Sequence, residues 1–243
     1  NWLVVENYLR QQNPIAAVAF YQKFSGQTMS QSELIKQTTK NISKEPIARA
    51  AQLYHSQLFK WVDIVNFHYY QKSEALPEVV AYLRKNILPD KAIMSNEIGI
   101  KEKFYPEPAV AAQEMVKKYA QLLALDVRPI IWFSPGGKKD NNAGALIDER
   151  GVVIAPTKNS FEAIARFLGQ SQIFCQDVST KTNADFKCQS SREEIEITWA
   201  KDKNFSDTIK IASDCSAYNY QNQILPGTLL LRSVTPIFIV CTL

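Results

Sequence analysis

Over residues 1–169 the chain alternates short apolar runs with longer segments in which apolar residues recur every three or four positions. The runs at 15–20, 62–69, 92–96 and 130–133 predict strands, each apolar enough to be buried on both faces of a parallel sheet. Helical stripes fill the gaps: Ile47, Ala50, Ala51, Tyr54, Leu58 and Trp61, then Leu76, Val79, Val80 and Leu83, then Val116, Ala120 and Leu123. A last stripe, Phe161, Ile164, Ala165 and Leu168, has Asn159 as its expected cap, Glu162 three residues on, and Gly169 as its stop. Residues 2–12 read as the tail of a helix ended by Pro14, and the polar stretch 25–44 as an embellishment before the next helix. This is a series of about four βα units.

Beyond Gly169 the pattern shortens. Residues 173–174, 194–199, 208–212, 229–232 and 237–240 are β-branched or aromatic, and Ile195, Ile197 and Trp199 alternate onto one face. Pro226-Gly227 marks a turn, and Pro236 suits a strand start, where no amide is needed. Residues 170–243 therefore predict a small antiparallel β domain. No glycine-rich phosphate loop follows the first strand, so a dinucleotide-binding sheet is disfavoured. Residues 1–169 fit better as the C-terminal half of a (β/α)8 barrel, strands five to eight, with the first half on upstream sequence.

Composition narrows the partners. Hydrophobic residues make up 46% and charged residues 21%, the balance of an ordinary globular chain, which disfavours disorder and coiled coil. No run approaches the ~18 apolar residues of a spanning helix, so no membrane is expected. The net charge of +4 comes from interspersed residues, so nucleic acid is not an expected partner. Two histidines, four cysteines without a C-x-x-C pair, and no phosphate-loop motif predict neither metal nor cofactor. Cys175, Cys188, Cys215 and Cys241 allow three pairings, and reduced thiols fit as well as disulfides. The sequons at Asn41 and Asn204 are compatible with secretion, and the first residues lack a signal peptide's basic start.

Barrel enzymes place their chemistry at the carboxyl ends of strands. There the sequence offers Glu97, after the apolar run 92–96 and just before Gly99; His68 and Tyr70, which alternate onto one side of the preceding strand; and Trp132, whose flat face suits a sugar ring. Taken singly, each has a plain structural reading: a surface carboxylate, a core histidine, a packed indole.

Taken together, in order and spacing, these residues resemble the clan A glycoside hydrolases. Residues 62–70 with their His-x-Tyr ending look like the sixth barrel strand, 93–99 with Glu-x-Gly like the seventh, and 131–133 like the eighth. Residues 144–148 and the helix at Phe161 resemble the barrel's close, and residues 170–243 the small β-sandwich of families such as family 39. Ser95-Asn96 departs from the clan, where a threonine often precedes the glutamate. The resemblance implies a retaining hydrolase acting on a β-linked oligo- or polysaccharide. Glu97 would be the nucleophile, Tyr70 its hydrogen-bond partner, His68 a contact to sugar or acid/base, and Trp132 the floor of a subsite. The second carboxylate would follow an asparagine on the fourth strand, upstream of this sequence; Glu6, in Val5-Glu6-Asn7, has the order reversed. The fragment alone is then expected to be inactive. The competing reading is a non-catalytic carbohydrate-binding or adhesion module.

Overall fold

The computed structural model describes residues 2–42, 46, 49, 61–86, 90–101, 105, 107–133, 144–170, 172–205 and 207–243. The stripe expected at 47–61, Trp61 excepted, and most of the glycine-lysine loop 134–144 lie outside these.

The chain opens with three helices, α1 (Trp2–Gln12), α2 (Pro14–Ser25) and α3 (Gln31–Ile42). The run 15–20, expected as a strand, is the heart of α2, and the stretch expected as an embellishment is mostly α3. The reason is local. Asn13 is extended and its side chain accepts the Ile15 and Ala16 amides, while Pro14 takes the first helical position, where a missing N–H costs nothing. Gly26, at φ 71°, ends the helix in the left-handed region. Leu3, Val4, Val5 and Phe20 then pack with Tyr82 in one small core.

Among the described residues three parallel strands follow, where four were expected from residue 15 on: β1 (Ile64–Tyr69), β2 (Ala92–Ile98) and β3 (Val127–Trp132), in that spatial order. Between them come a 3-10 turn (Ser73–Ala75), α4 (Leu76–Asn86) and α5 (Pro108–Ala124), and after them α6 (Ala155–Leu168). Val65, Tyr69, Ile93, Ile98 and Val127 turn one sheet face to Leu76 and Val80 of α4 and Leu122 of α5. The opposite face is open: Ile64 and Ile131 are each 49% exposed. The capping box expected at Asn159 does not form, because α6 starts five residues earlier than that cap implies, at Ala155 with Ile154 at the cap position and Pro156 in its first turn. The turn before it is organised by Asp148, whose Oδ1 accepts the Arg150 and Val152 amides at 2.9 Å each.

The remaining strands are β4 (Phe174–Asp177), β5 (Asn183–Gln189), β6 (Glu193–Ala200), β7 (Asp207–Lys210), β8 (Cys215–Asn219), β9 (Ile224–Leu225), β10 (Leu229–Arg232) and β11 (Ile237–Thr242). Six of them form an antiparallel sheet in the order β4-β5-β6-β11-β8-β9, and β7 with β10 forms a two-stranded ribbon. Ile195, Ile197 and Trp199 share one face, as their alternation predicts, and pack with Phe238 against α5 and α6. On the other face Ile237, Ile239 and Ala217 meet Ile209 and Leu230 of the ribbon. A single core therefore runs from α5 and α6 into the sheet. All four cysteines are paired, Cys175 with Cys188 and Cys215 with Cys241, each across adjacent strands at register partners.

Candidate active site

A strand's side chains alternate, so Ile93 and Ser95, both buried, would carry Glu97 to the helix-covered face if β2 were regular. It is not regular. Asn66 pairs with Met94 but His68 pairs with Glu97, so β2 uses three residues where β1 uses two. This bulge reverses the alternation at Ser95-Asn96 and turns Glu97 toward the open face, beside His68. Three hydrogen bonds hold it: Ser95 Oγ donates to the Phe67 carbonyl at 2.5 Å, the Asn96 amide donates to Asn66 Oδ1 at 3.0 Å, and Asn66 Nδ2 donates to Asn96 Oδ1 at 2.8 Å. Ser95 and Asn96 thus anchor the bulge. The strand also runs two residues beyond the expected end, so Glu97 lies inside it.

Both carboxylate oxygens of Glu97 have a partner. The Tyr70 hydroxyl donates to Oε1, and His68 Nδ1 lies 3.1 Å from Oε2. These contacts fix the plane of the carboxylate. The group still reaches solvent, with side-chain exposures of 24% for Glu97 and 50% for His68. The arrangement presents an oriented carboxylate on the less covered sheet face.

Tyr70 is itself tightly set. A Cβ on Gly99 would fall 2.5 Å from Tyr70 Cε1, so only glycine lets the ring lie there. On another side the ring meets Phe133 edge-on, with centroids 5.9 Å apart. The backbone after Glu97 is tied to both neighbouring strands: the Gly99 amide donates to the Tyr69 carbonyl at 3.1 Å, Lys101 to Tyr70 at 3.3 Å, and Phe133 to Ile98 at 2.8 Å.

Beneath this lies a buried polar group that the sequence reading missed. Lys118 of α5, fully buried, donates from Nζ to the Gly99 carbonyl at 2.6 Å. One turn earlier Glu114, also buried, accepts the Ser73 amide at 2.5 Å and the Tyr105 hydroxyl. Burial pushes the Glu114 carboxyl above the ordinary carboxylate range and Lys118 down to about 8, each opposed by the other's charge. In sequence the two are separated by four residues on a helix, the spacing of any surface ion pair, so nothing local marks them as buried.

Trp132 is not brought to this group. Its ring stacks on Tyr119 of α5 at 6.2 Å, its backbone N–H reaches the Tyr119 hydroxyl, and Nε1 donates to the Gly144 carbonyl at 2.9 Å. The aromatic neighbour of Tyr70 is the next residue, Phe133. Glu6 is buried in α1 beside Arg10, 3.4 Å away, and burial raises its carboxyl above the ordinary range. Among the described residues no three His, Cys, Asp or Glu side chains gather as a metal would require, and no described helix is long and apolar enough to cross a membrane.

No protein-family model and no curated protein matches the sequence. Solved structures do match. A GH30 endoxylanase from Clostridium papyrosolvens aligns over 76% of this chain and 50% of its own, with 10% identity and a TM-score of 0.52. A conserved exported protein from Bacteroides fragilis aligns over 86% of this chain and 58% of its own, with 11% identity and a TM-score of 0.50. The chain spans 50% and 58% of the lengths of these two structures. It has a glycoside hydrolase-like fold.

Proposed function

We propose that this chain is the C-terminal part of a retaining glycoside hydrolase, of clan A type, that cleaves a β-linked sugar with Glu97 as nucleophile. The observation that carries the reading is the carboxylate held by His68 and Tyr70 on the open face of a parallel sheet, turned there by a strand bulge. Parallel sheets are normally covered on both sides, and the half-exposed Ile64 and Ile131 on the carboxylate's side of the sheet suit a face that further barrel strands would enclose. The likeness to half of a xylanase fits the same picture. The chain divides, on this reading, into barrel residues 1–169 and a β domain of residues 170–243.

In the reaction Glu97 attacks the anomeric carbon as the leaving oxygen departs, giving a glycosyl-enzyme ester that water then opens. A second carboxylate, about 5–5.5 Å away in retaining enzymes, protonates the leaving group and later deprotonates the water. That group belongs to upstream sequence, so these residues alone do not complete the cycle. Tyr70 and His68 hold the attacking oxygen in line and meet the sugar. Trp132 keeps its proposed role as a subsite floor through the part of its ring not packed on Tyr119. The paired cysteines favour an oxidising, extracytoplasmic location.

The test uses the protein translated from the complete reading frame, a panel of β-linked aryl glycosides, and the Glu97→Gln variant. Loss of hydrolysis in the variant, restored by azide with formation of a glycosyl azide of inverted configuration, is the expected result. Hydrolysis unaffected by Glu97→Gln refutes the assignment. Sugar binding without cleavage of any glycoside would favour the non-catalytic module.

A further inference from the structure

The Gly99 carbonyl follows Glu97 by two residues, and the Tyr70 ring lies against the Gly99 Cα where no side chain fits. Whatever fixes this peptide fixes the phenol that holds the carboxylate. Backbone bonds from β1 and β3 hold the strand edges, but the carbonyl itself is taken by the buried ammonium of Lys118. A buried charge is costly unless its hydrogen bonds and counter-charge are in place. Here Glu114 supplies the counter-charge, and through the Ser73 amide it also ties α5 to the turn that follows β1, the strand carrying His68 and leading into Tyr70. Lys118 lies over the Tyr69 ring as well, 5.2 Å from its centroid. One helix turn therefore grips the ends of both strands that build the site.

We infer that Lys118 and Glu114 are positioning residues, which set the Tyr70–Glu97 contact by locking the Gly99 peptide and the Ser73 turn to α5. They touch neither carboxylate oxygen nor the open face. As a statement about catalysis this rests on the glycosidase reading; as a statement about geometry it stands alone.

The experiment separates the two. Lys118→Met alone strands a buried carboxylate and could unfold the chain, so the informative variant is Glu114→Gln/Lys118→Met, which strands no charge and still lacks the donor to Gly99. 3-Fluorotyrosine at position 70 reports the phenol's surroundings by fluorine NMR near pH 6. Glu97→Gln moves the resonance, and the double variant is expected to move it in the same direction by at least half as much. The core variant Ile197→Val, which loosens packing without touching the site, leaves most of the parent position. A double-variant resonance at the parent position overturns the inference.

In parallel, the complete protein is treated with 2,4-dinitrophenyl 2-deoxy-2-fluoro-β-glycosides. Their leaving group departs as a stable phenolate and needs no proton, so labelling reads the nucleophile only. The double variant is expected to label Glu97 about 10²-fold more slowly with KI changed less than about threefold, the scale of a ~1 Å misplacement. Failure of any protein to label, with the fluorine shift as expected, would count against the glycosidase reading and leave the positioning role supported.

Discussion

Gly99→Ala is a sharp test of how the site is held. The added Cβ would sit 2.5 Å from Tyr70 Cε1 and 2.8 Å from Cδ1, whereas carbon atoms rest at about 3.5–4.0 Å. The ring must retreat by roughly 1 Å. It cannot do so freely, because Phe133 stands edge-on at 5.9 Å and the hydroxyl is bound to Glu97. Overpacking of this kind costs about 1–3 kcal/mol, and the phenol–carboxylate bond is the contact that gives way. Urea unfolding of four proteins measures it: parent, Gly99→Ala, Tyr70→Ala and the double variant. If the clash is with the ring, Gly99→Ala lowers stability by 1–3 kcal/mol in the parent and by less than about 0.5 kcal/mol once Tyr70 is alanine, the margin within which independent sites add. An equal cost in both backgrounds would show that glycine serves the backbone and not the ring, and the account of Tyr70 would fall.

Lys118→Met alone should cost about 3–5 kcal/mol, and Glu114→Gln/Lys118→Met considerably less, because breaking one half of a buried pair strands the other; urea midpoints at pH 7 check both. Since Lys118 is lowered to about 8 in the fold while an unfolded lysine titrates near 10.4, the unfolded chain binds more protons between those values. Stability contributed by this group therefore rises with pH from about 8 to about 10, and the parent's rise, measured against the double variant, should vanish if the assignment is wrong. Ser95→Ala removes the donor to the part-buried Phe67 carbonyl and should cost about 0.5–1.5 kcal/mol; a larger loss of Glu97 labelling than of stability would mark the bulge as the element that aims the carboxylate. Removing the Cys215–Cys241 bridge, 26 residues apart in sequence, should lower stability by about 3 kcal/mol, and an unchanged urea midpoint in the Cys215→Ala/Cys241→Ala variant would mean that the pairing does not form.

The sequence by itself determined what depends on neighbours along the chain. The apolar runs of β1, β2 and β3, the stripes of α4, α5 and α6, and the Ile195, Ile197, Trp199 face were legible because burial imposes a period on consecutive residues. Where the local signal is ambiguous the reading failed: 15–20 is short and apolar, a strand by composition, but Asn13 and Pro14 start a helix there. The terminal sheet was legible in character but not in extent, since β5 and β8 carry polar residues whose partners lie on other strands. His68, Tyr70 and Glu97 were found as residue types near strand ends. That they meet was decided by the tertiary structure, because a bulge is a mismatch between two strands and has no period in either one. The same holds for Lys118 and Glu114, which look like a solvent-facing helical pair until α5 is laid under Gly99 and Ser73. Cysteine pairing, too, waited for the register of β4 on β5 and β8 on β11. Register, burial and aim are relations between segments, and a single segment's pattern carries them only where the chain is regular.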